Sequence, residues 1–375
     1  MKLHTTESLF NVPQGMYLLS HSVGCLPKNA EQTLTQRYLN PWQQQGGDAW
    51  PKWLGIIDDF CAELGKIIGA DGKDICPQSN VSSGLTKYLQ ALPLNPSKNV
   101  ILMHASAFPS MGFVAQALTQ AGYEFELIVE QHSPRDLQQW RSQISDRTAA
   151  VLITHVHSNT GVLSPVAEIS ALAHAKQAKV IVDVAQSIGV VPVDVVAWQA
   201  DCVLGSCVKW LCGGPGAGFM WLEPSQIEAL KPLDVGWFSH ANPFEFDIEH
   251  FVYAYNAKRF WGGTPSIAPF ATALGSLQQI NQIGVAQIAK HNRQLRQKVY
   301  QAAEPLLLSQ HDLEQQGGTL CLDFKPAAMQ AFVEDLTSFG AYYDRRSSIL
   351  RLSLHIYNTA QQATQLVDCL RKLRL

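Results

Sequence analysis

The stretch Val203-Leu204-Gly205-Ser206-Cys207-Val208-Lys209-Trp210 decides how this 375-residue sequence folds and what it can bind. A short apolar run leads to a lysine, and the glycine-rich segment Gly213-Gly214-Pro215-Gly216-Ala217-Gly218 follows it. Upstream, Asp183 ends another apolar run, Val180-Ile181-Val182. The pattern predicts two buried strands, with an acidic residue at the end of one and a lysine in the turn after the other.

From about residue 55 onward, short apolar segments alternate with amphipathic segments. Strands are predicted over 100–103, 125–129, 149–154, 180–184, 201–205 and 219–222, and helices over 53–69, 85–92, 112–120 and 166–177. Strands separated by helices of this length are typical of a mostly parallel sheet covered on both faces. Ligands bind such a sheet at the carboxyl ends of its strands, where Asn159, Asp183 and Lys209 all fall.

The pattern changes after about residue 265 and predicts a second, smaller α/β unit. A long helix is expected over 267–303, then strands over 319–324 and 349–354 that alternate with helices over 327–339 and 360–373. We therefore predict an N-terminal arm (1–20), a large domain (21–262) and a small C-terminal domain (263–375). The boundary falls in the segment Trp261-Gly262-Gly263-Thr264-Pro265.

Composition excludes several classes of function. The chain is 46% hydrophobic and 16% charged, and its 28 basic and 31 acidic residues give a net charge of −3 without long blocks of one sign. Neither a nucleic-acid partner nor a membrane partner is expected. The first ten residues lack an apolar signal segment, and the eight cysteines include no CxxC pair. We expect free thiols, no metal and a cytoplasmic protein.

A strand-end aspartate near a lysine in a turn suits pyridoxal 5′-phosphate (PLP). The amine of Lys209 would hold the PLP aldehyde as a Schiff base. The Asp183 carboxylate would keep the pyridine nitrogen protonated, so that the ring accepts electrons. An aspartate in this position is more often only a turn former or a helix cap. The combination nevertheless predicts Lys209 and Asp183 as catalytic residues on bound PLP.

Two longer blocks resemble the class V aminotransferase family. The segment Asp183–Asp194 resembles the family pattern D-x-A-Q-x-x-G-x-x-P-x-D, and K-W-L-C-G-G-P-G-A-G-F over 209–219 resembles its lysine motif. The resemblance implies the PLP-dependent transferase fold of type I. That fold has a mostly parallel seven-stranded sheet between helices and a smaller C-terminal α/β domain. It also implies a homodimer with active sites at the interface and an amino-acid substrate.

Further segments match the family and imply cofactor contacts. Asn80-Val81-Ser82-Ser83-Gly84-Leu85 looks like the phosphate turn, in which Ser83 and Gly84 would offer backbone N–H groups at a helix N-terminus. A simple N-cap serine uses the same geometry. Phe108 lies in a segment that resembles the aromatic cover of the pyridine ring in kynureninase, although a core phenylalanine is the alternative. The other cofactor contacts that the resemblance implies are Gln186, Asn159, Thr160, Ser206 and Thr264.

The segment His155-Val156-His157-Ser158-Asn159-Thr160-Gly161 resembles the family loop that reaches the phenolic oxygen of PLP. Its two histidines lie at i and i+2 without further ligands nearby, so no metal site is predicted. Val208 stands where relatives often carry His or Tyr, and a phosphate contact is therefore missing or supplied elsewhere.

Arg351 is the expected substrate-binding residue. The block I-L-R-L-S-L-H-I-Y-N over 349–358 resembles the family's R-x-S-x-x-x-Y-N, whose arginine binds the substrate α-carboxylate. A guanidinium fork suits a carboxylate. A buried structural arginine is the alternative. Residues that would decide the substrate side chain are expected in separated loops, around His21, Ser22, 237–240 and Trp261.

The reaction itself stays open between two possibilities. Transamination of a small amino acid is the leading hypothesis. Kynureninase-like C–C hydrolysis is the alternative, because 236–240 (G-W-F-S-H) and 343–346 (Y-D-R-R) resemble kynureninase segments. Gln186, Val208 and the turn 263–265 depart from kynureninase. A cysteine desulfurase is disfavoured because no cysteine lies between 339 and 351, and a PLP-binding regulator because no fused DNA-binding segment is found.

Overall fold

The computed structural model describes residues 9–308 and 312–373, so the predicted arm before residue 9 lies outside the described residues. In chain order the strands are β1 (Phe10–Asn11), β2 (Leu26–Pro27), β3 (Ile75–Gln78), β4 (Val100–His104), β5 (Glu124–Ile128), β6 (Thr148–Thr154), β7 (Lys179–Asp183), β8 (Cys202–Ser206), β9 (Gly218–Leu222), β10 (Thr319–Asp323), β11 (Asp344–Arg346) and β12 (Ile349–Ser353). The α-helices are α1 (Lys28–Thr33), α2 (Asn40–Gln45), α3 (Trp50–Ile68), α4 (Val81–Ala91), α5 (Pro109–Ala117), α6 (Leu137–Gln143), α7 (Val166–His174), α8 (Ala268–Ile283), α9 (Val285–Ala303), α10 (Pro326–Ser338) and α11 (Ala360–Lys372).

A seven-stranded sheet forms the centre of the large unit, with strand order β3-β9-β8-β7-β6-β4-β5. The pairs from β8 through β5 are parallel, while β9 runs antiparallel to both β8 and β3. This confirms the mostly parallel sheet expected from the sequence. Strand β3 was not predicted, because Pro77 interrupts a run of only four residues; an edge strand tolerates such a proline.

Helices cover both faces of the sheet. Helix α3 carries a fully buried stripe that includes Ile57, Phe60 and Leu64, and Phe60 meets Phe270 of α8 edge to face with ring centroids 4.9 Å apart. The helix ends where Gly69 adopts a left-handed conformation, with φ of 72°. None of the helices in the described ranges has the length and apolar character needed to cross a membrane.

The predicted single helix over 267–303 is wrong, since the structure has two helices there. Gly284 separates α8 from α9 with φ of 89° and ψ of 128°, a conformation that glycine adopts easily and that ends α8. Phe270, Leu274 and Leu277 of α8 pack in the core beneath the central sheet. The predicted domain limits stay a prediction, and this packing places α8 with the large unit.

A smaller antiparallel sheet, of order β10-β12-β11, lies in the C-terminal region. Its apolar face packs against α9, α10 and α11 through a separate core that includes Val299, Phe332 and Leu366. The N-terminal segment 16–25 contributes to both cores, since Met16 and Leu18 belong to the small one and Tyr17 and Cys25 to the large one. This segment therefore crosses the junction between the two units.

Gly24 fixes the segment 16–25 against the lysine turn. Its N–H donates to the carbonyl of Val208 at 2.9 Å, and a Cβ at this position would lie 2.2 Å from the carbonyl oxygen of Lys209. A substitution there must displace backbone.

We expect Gly24→Ala to lower the free energy of unfolding by roughly 1–3 kcal/mol, because the added methyl overpacks the turn that carries Lys209. Gly47→Ala is the matched control, since a Cβ there meets no atom within 4 Å, and its effect should stay within about 0.5 kcal/mol. Denaturant unfolding of both variants measures the difference. Equal stability of the two would contradict the close approach at Gly24.

Candidate active site

Lys209 lies in the turn after β8 and lines a cavity of about 250 Å³ at the carboxyl end of the central sheet. The cavity is lined by Asn80, Val81, Ser82, Phe108, Ser110, Met111, Thr154, Val156, Ser158, Asp183, Ala185, Gln186, Ser206, Val208 and Lys209. The lysine Nζ lies 5.8 Å from the centre of the Phe108 ring. Burial lowers the pKa of Lys209, with Asp183 opposing the shift, so the amine loses its proton more readily than a free lysine does.

Asp183 ends β7 and is 7% exposed. Its Oδ1 accepts a hydrogen bond of 2.9 Å from the N–H of Ala185. Burial raises its pKa, while the Ala185 bond and the charge of Lys209 act in the opposite direction. Among the described residues, no cation forms an ion pair with this carboxylate. A cationic ring nitrogen in the cavity would stabilise its charge.

The strand register explains why these groups share one edge. Thr154 is the partner of Asp183 across β6 and β7, and Asp183 is the partner of Leu204 across β7 and β8. Beyond β6, every second side chain still points to the same side, so that Thr154, Val156 and Ser158 all line the cavity. Thr154 was not predicted, and its buried Oγ1 has no hydrogen-bond partner among the described residues.

The two histidines of this segment are buried and bonded to hydroxyl groups. His155 Nδ1 lies 2.8 Å from Ser187 Oγ, and His157 contacts the hydroxyl oxygens of Ser106 at 2.7 Å and Ser164 at 3.2 Å. Burial lowers the pKa of His155 to about 3 and that of His157 to about 4. Within the described ranges, no group of three or more His, Cys, Asp and Glu is arranged to hold a metal ion.

Asn159 and Thr160 do not line the cavity with Lys209. The Asn159 Oδ1 is buried without a partner among the described residues, and Thr160 Oγ1 accepts from the N–H of Val162 at 3.3 Å. Their predicted contacts with the cofactor therefore stay predictions, while Val156 and Ser158 are the residues of this segment that line the cavity.

The N-terminus of α4 lies at one end of the cavity. Asn80 caps the helix, because its Oδ1 accepts from the Ser83 N–H at 2.9 Å, and its carbonyl accepts from the Gly84 N–H at 3.3 Å. The predicted donors Ser83 and Gly84 are thus already occupied. Val81 and Ser82 line the cavity instead, and the first amides of a helix lack intrahelical partners.

The remaining predicted contacts divide between two cavities. Gln186 lines the Lys209 cavity, and its Nε2 donates to the carbonyl of His21 at 3.1 Å. Ser206 lines it as well. Thr264 lies in a neighbouring cavity of about 210 Å³ with Ser83 and Lys87, and its Oγ1 accepts from Trp237 Nε1 at 3.3 Å.

Arg351 lies on β12, 3% exposed, and is held by two residues. Its Nε and Nη2 donate to Oδ2 of Asp344 at 2.6 and 2.5 Å, and its Nη1 donates to the Ser158 carbonyl at 2.9 Å. Asp344 is its partner across β11 and β12. A guanidinium has five N–H donors, so two on the terminal nitrogens remain without a partner among the described residues. The contact with Ser158 places the Arg351 guanidinium beside the cavity.

The residues fit PLP. The cavity combines a lysine with a lowered pKa, a buried carboxylate, unpartnered helix amides and an exposed aromatic face at Phe108, which is 40% exposed. In the order given, these groups would supply the amine that binds the PLP aldehyde, the partner of the pyridine nitrogen, the donors to the phosphate and the cover of the ring.

The sequence model of the aminotransferase class-V family matches residues 61–366. The chain therefore belongs to this family and is a PLP-dependent enzyme of the class. It is 28% identical over 324 residues to the uncharacterized aminotransferase YcbU of Bacillus subtilis (86% of this chain, 85% of that protein). It is 27% identical over 314 residues to kynureninase of Deinococcus radiodurans (81% of this chain, 75% of that protein).

Solved structures of similar fold agree with the type I architecture. A C-DES variant with glycine covalently linked to its PLP cofactor aligns with a TM-score of 0.86 at 21% identity, covering 99% of each chain. The cysteine desulfurase CsdA from Escherichia coli aligns with a TM-score of 0.81 at 18% identity, covering 99% of this chain and 98% of that one. At these identities the likeness concerns the fold alone.

We expect Ser82→Ala to weaken PLP binding about tenfold, because Ser82 lines the cavity beside the first helix amides and its side-chain hydroxyl would donate to the phosphate. A hydrogen bond to a charged group contributes about 1.5 kcal/mol or more. Ser83→Ala should change the PLP dissociation constant less than about threefold, since Ser83 faces the neighbouring cavity. Titration of the cofactor-free variants with PLP, followed by visible absorbance, measures both constants. A larger loss in Ser83→Ala would instead indicate that the phosphate lies on the side of the neighbouring cavity, where Ser83 is found.

Proposed function

We propose that this protein is an aminotransferase that moves the amino group of a small amino acid by means of PLP. The observation that carries the proposal is the unpartnered donor pair of Arg351, which lies beside the cavity that holds Lys209 and Asp183. A carboxylate bound there would place the α-carbon of an amino acid near the lysine amine.

PLP, when bound, would supply an electron sink for the substrate. The protein would supply the proton transfers. The Nζ of Lys209 would take the proton from the α-carbon of the substrate and would later return a proton. Asp183 would keep the pyridine nitrogen protonated, and Phe108 would cover one face of the ring. Arg351 holds the substrate carboxylate, and its contact with Asp344 fixes the orientation of the guanidinium.

Kynureninase-like hydrolysis of a C–C bond is the second candidate. Its support is the 27% identity to a kynureninase over 81% of the chain, together with Asp344 in the Y-D-R-R segment. Gln186, Val208 and the turn 263–265 differ from the kynureninase pattern and favour transamination.

A cysteine desulfurase would need a nucleophilic cysteine in the segment before Arg351. Residues 340–350 contain no cysteine. Cys321, which lies across from Arg351 on β10, is 4% exposed, and burial raises the pKa of its thiol to about 12. A thiol in this state is a poor nucleophile at neutral pH.

A homodimer is part of the proposal. The segment 233–255 exposes a group of large apolar side chains that a monomer rarely leaves in water. The most exposed are Leu233 (72%), Phe246 (76%), Ile248 (99%) and Tyr255 (74%). Thr264 lies beside this segment through its contact with Trp237, consistent with a role at the phosphate of the partner subunit. A cytoplasmic location is proposed because all eight cysteines are buried free thiols.

Arg351→Ala should raise the dissociation constant for amino acids roughly 10- to 100-fold, since it removes charged hydrogen bonds to the carboxylate. PLP binding should persist, because Arg351 is not among the residues that line the PLP cavity. Arg345→Ala is the control, as Arg345 is exposed and contacts the Ser347 carbonyl. Amino-acid titrations of the visible cofactor spectrum test both variants; unchanged affinity in Arg351→Ala would exclude the clamp.

The reaction type is tested by incubating the holoenzyme with a panel of amino acids and with kynurenine. We expect stoichiometric conversion of the bound cofactor to pyridoxamine 5′-phosphate with release of a keto acid, measured by chromatography and mass spectrometry. Formation of anthranilate and alanine from kynurenine would overturn transamination and establish the second candidate.

A further inference from the structure

His21 is a buried histidine beside Arg351 that the proposed chemistry does not use. It is 1% exposed and belongs to the segment 16–25. Its Nδ1 lies 2.7 Å from Ser353 Oγ, whereas its Nε2 is buried and has no hydrogen-bond partner among the described residues. An unpartnered buried acceptor or donor is costly, so a histidine in this state points to a missing partner.

The bonds of Ser353 fix which nitrogen of His21 carries the proton. The Ser353 hydroxyl has one proton and donates it to the Leu18 carbonyl at 2.9 Å. With its proton directed at Leu18, it accepts from both the His21 backbone N–H at 3.1 Å and the ring Nδ1 at 2.7 Å. Nδ1 is then protonated, and Nε2 carries a lone pair. Burial and the charge of Arg351 lower the pKa of His21 to about 3, so the ring is neutral near pH 7.

The Nε2 of His21 lies beside the ion pair of Arg351 and Asp344. Ser353 and Arg351 are two residues apart on β12 and share one face of the strand. His21 Nε2 lies 3.9 Å from Oδ2 of Asp344, the same atom that binds Arg351. Two acceptors thus face each other beyond hydrogen-bond distance with no proton between them. A donor group placed there would satisfy the nitrogen and bind the carboxylate as well.

We propose that His21 Nε2, together with Asp344, accepts a hydrogen bond from the side chain of the substrate, so that the site selects amino acids with an N–H or O–H donor. Apolar amino acids of the same shape would leave His21 Nε2 unpartnered and bind more weakly. This inference rests on the proposed function and names its substrate class. His21 is a specificity-determining residue in this scheme, and Ser353 is a positioning residue.

Two substitutions of His21 separate the loss of the Nε2 acceptor from the loss of the hydrogen bond to Ser353. His21→Asn keeps a donor at the position of Nδ1 for Ser353 but removes the Nε2 acceptor. His21→Gln places an amide oxygen near the position of Nε2 but gives up the Ser353 bond. A purely structural role predicts damage in His21→Gln and little change in His21→Asn, whereas an acceptor role predicts the opposite.

The test titrates holoenzyme with the isosteric pairs threonine and valine, and asparagine and leucine, and follows the visible cofactor spectrum. Wild type should bind the donor member of at least one pair about tenfold more tightly. His21→Asn should lose this preference, and His21→Gln should keep most of it. Equal affinities within both pairs in wild type, or an unchanged preference in His21→Asn, would overturn the inference while leaving the proposed function intact.

A second measurement does not depend on amino-acid binding. In protein labelled with ¹⁵N-histidine, the ring signals that disappear in His21→Asn belong to His21, and they should show a protonated Nδ1 and an unprotonated Nε2. A proton on Nε2 would overturn the inference. Absence of any spectral response to all four amino acids would instead contradict the proposed function, and the ring nitrogens would then decide whether His21 can act as an acceptor.

Discussion

The parallel register of β6, β7 and β8 is the constraint on which the site depends. It pairs Thr154 with Asp183 and Asp183 with Leu204, so the residues just beyond these strand ends meet at one edge of the sheet. The turn after β8 then carries Lys209 over that edge. Slipping one strand by a single residue would turn its side chains to the opposite face and separate the lysine from the carboxylate. The buried β-branched residues of these strands hold the register.

The substrate side of the site is built where the two units meet. β12 of the small sheet carries Arg351 and Ser353, and the Ser158 carbonyl beyond β6 accepts from Arg351. The segment 16–25 connects them, because its backbone bonds to Ser353 on one side and to Val208 on the other. The strand that carries Arg351 and the lysine turn are therefore connected by backbone hydrogen bonds through this segment. Any shift of the small sheet would move the proposed carboxylate site relative to Lys209.

Much of this was predictable from the sequence, for physical reasons. The central strands are continuous apolar runs, and the lysine and aspartate motifs are contiguous, so the sequence predicts these strands and places Asp183 and Lys209 at their carboxyl ends. It does not predict which residues at the start of α4 line the Lys209 cavity, because this depends on Asn80 capping the helix and occupying the Ser83 N–H. The pattern around Gly284 predicts one continuous helix, because the positive φ with which this glycine ends α8 does not follow from the sequence pattern. His21 Nε2 and Thr154 Oγ1 are buried without a hydrogen-bond partner among the described residues. Their burial results from packing between distant segments, which a local sequence pattern does not predict.

The most direct test of the account is to reduce the PLP-loaded enzyme with borohydride and map the modified peptide by mass spectrometry. Reduction converts a lysine–cofactor bond into a stable amine, so the modified residue can be identified. We expect a phosphopyridoxyl group on Lys209 alone, at one per chain. The same group on another lysine, or an unmodified Lys209 in enzyme that retains the visible band, would contradict the assignment of the lysine turn as the cofactor site.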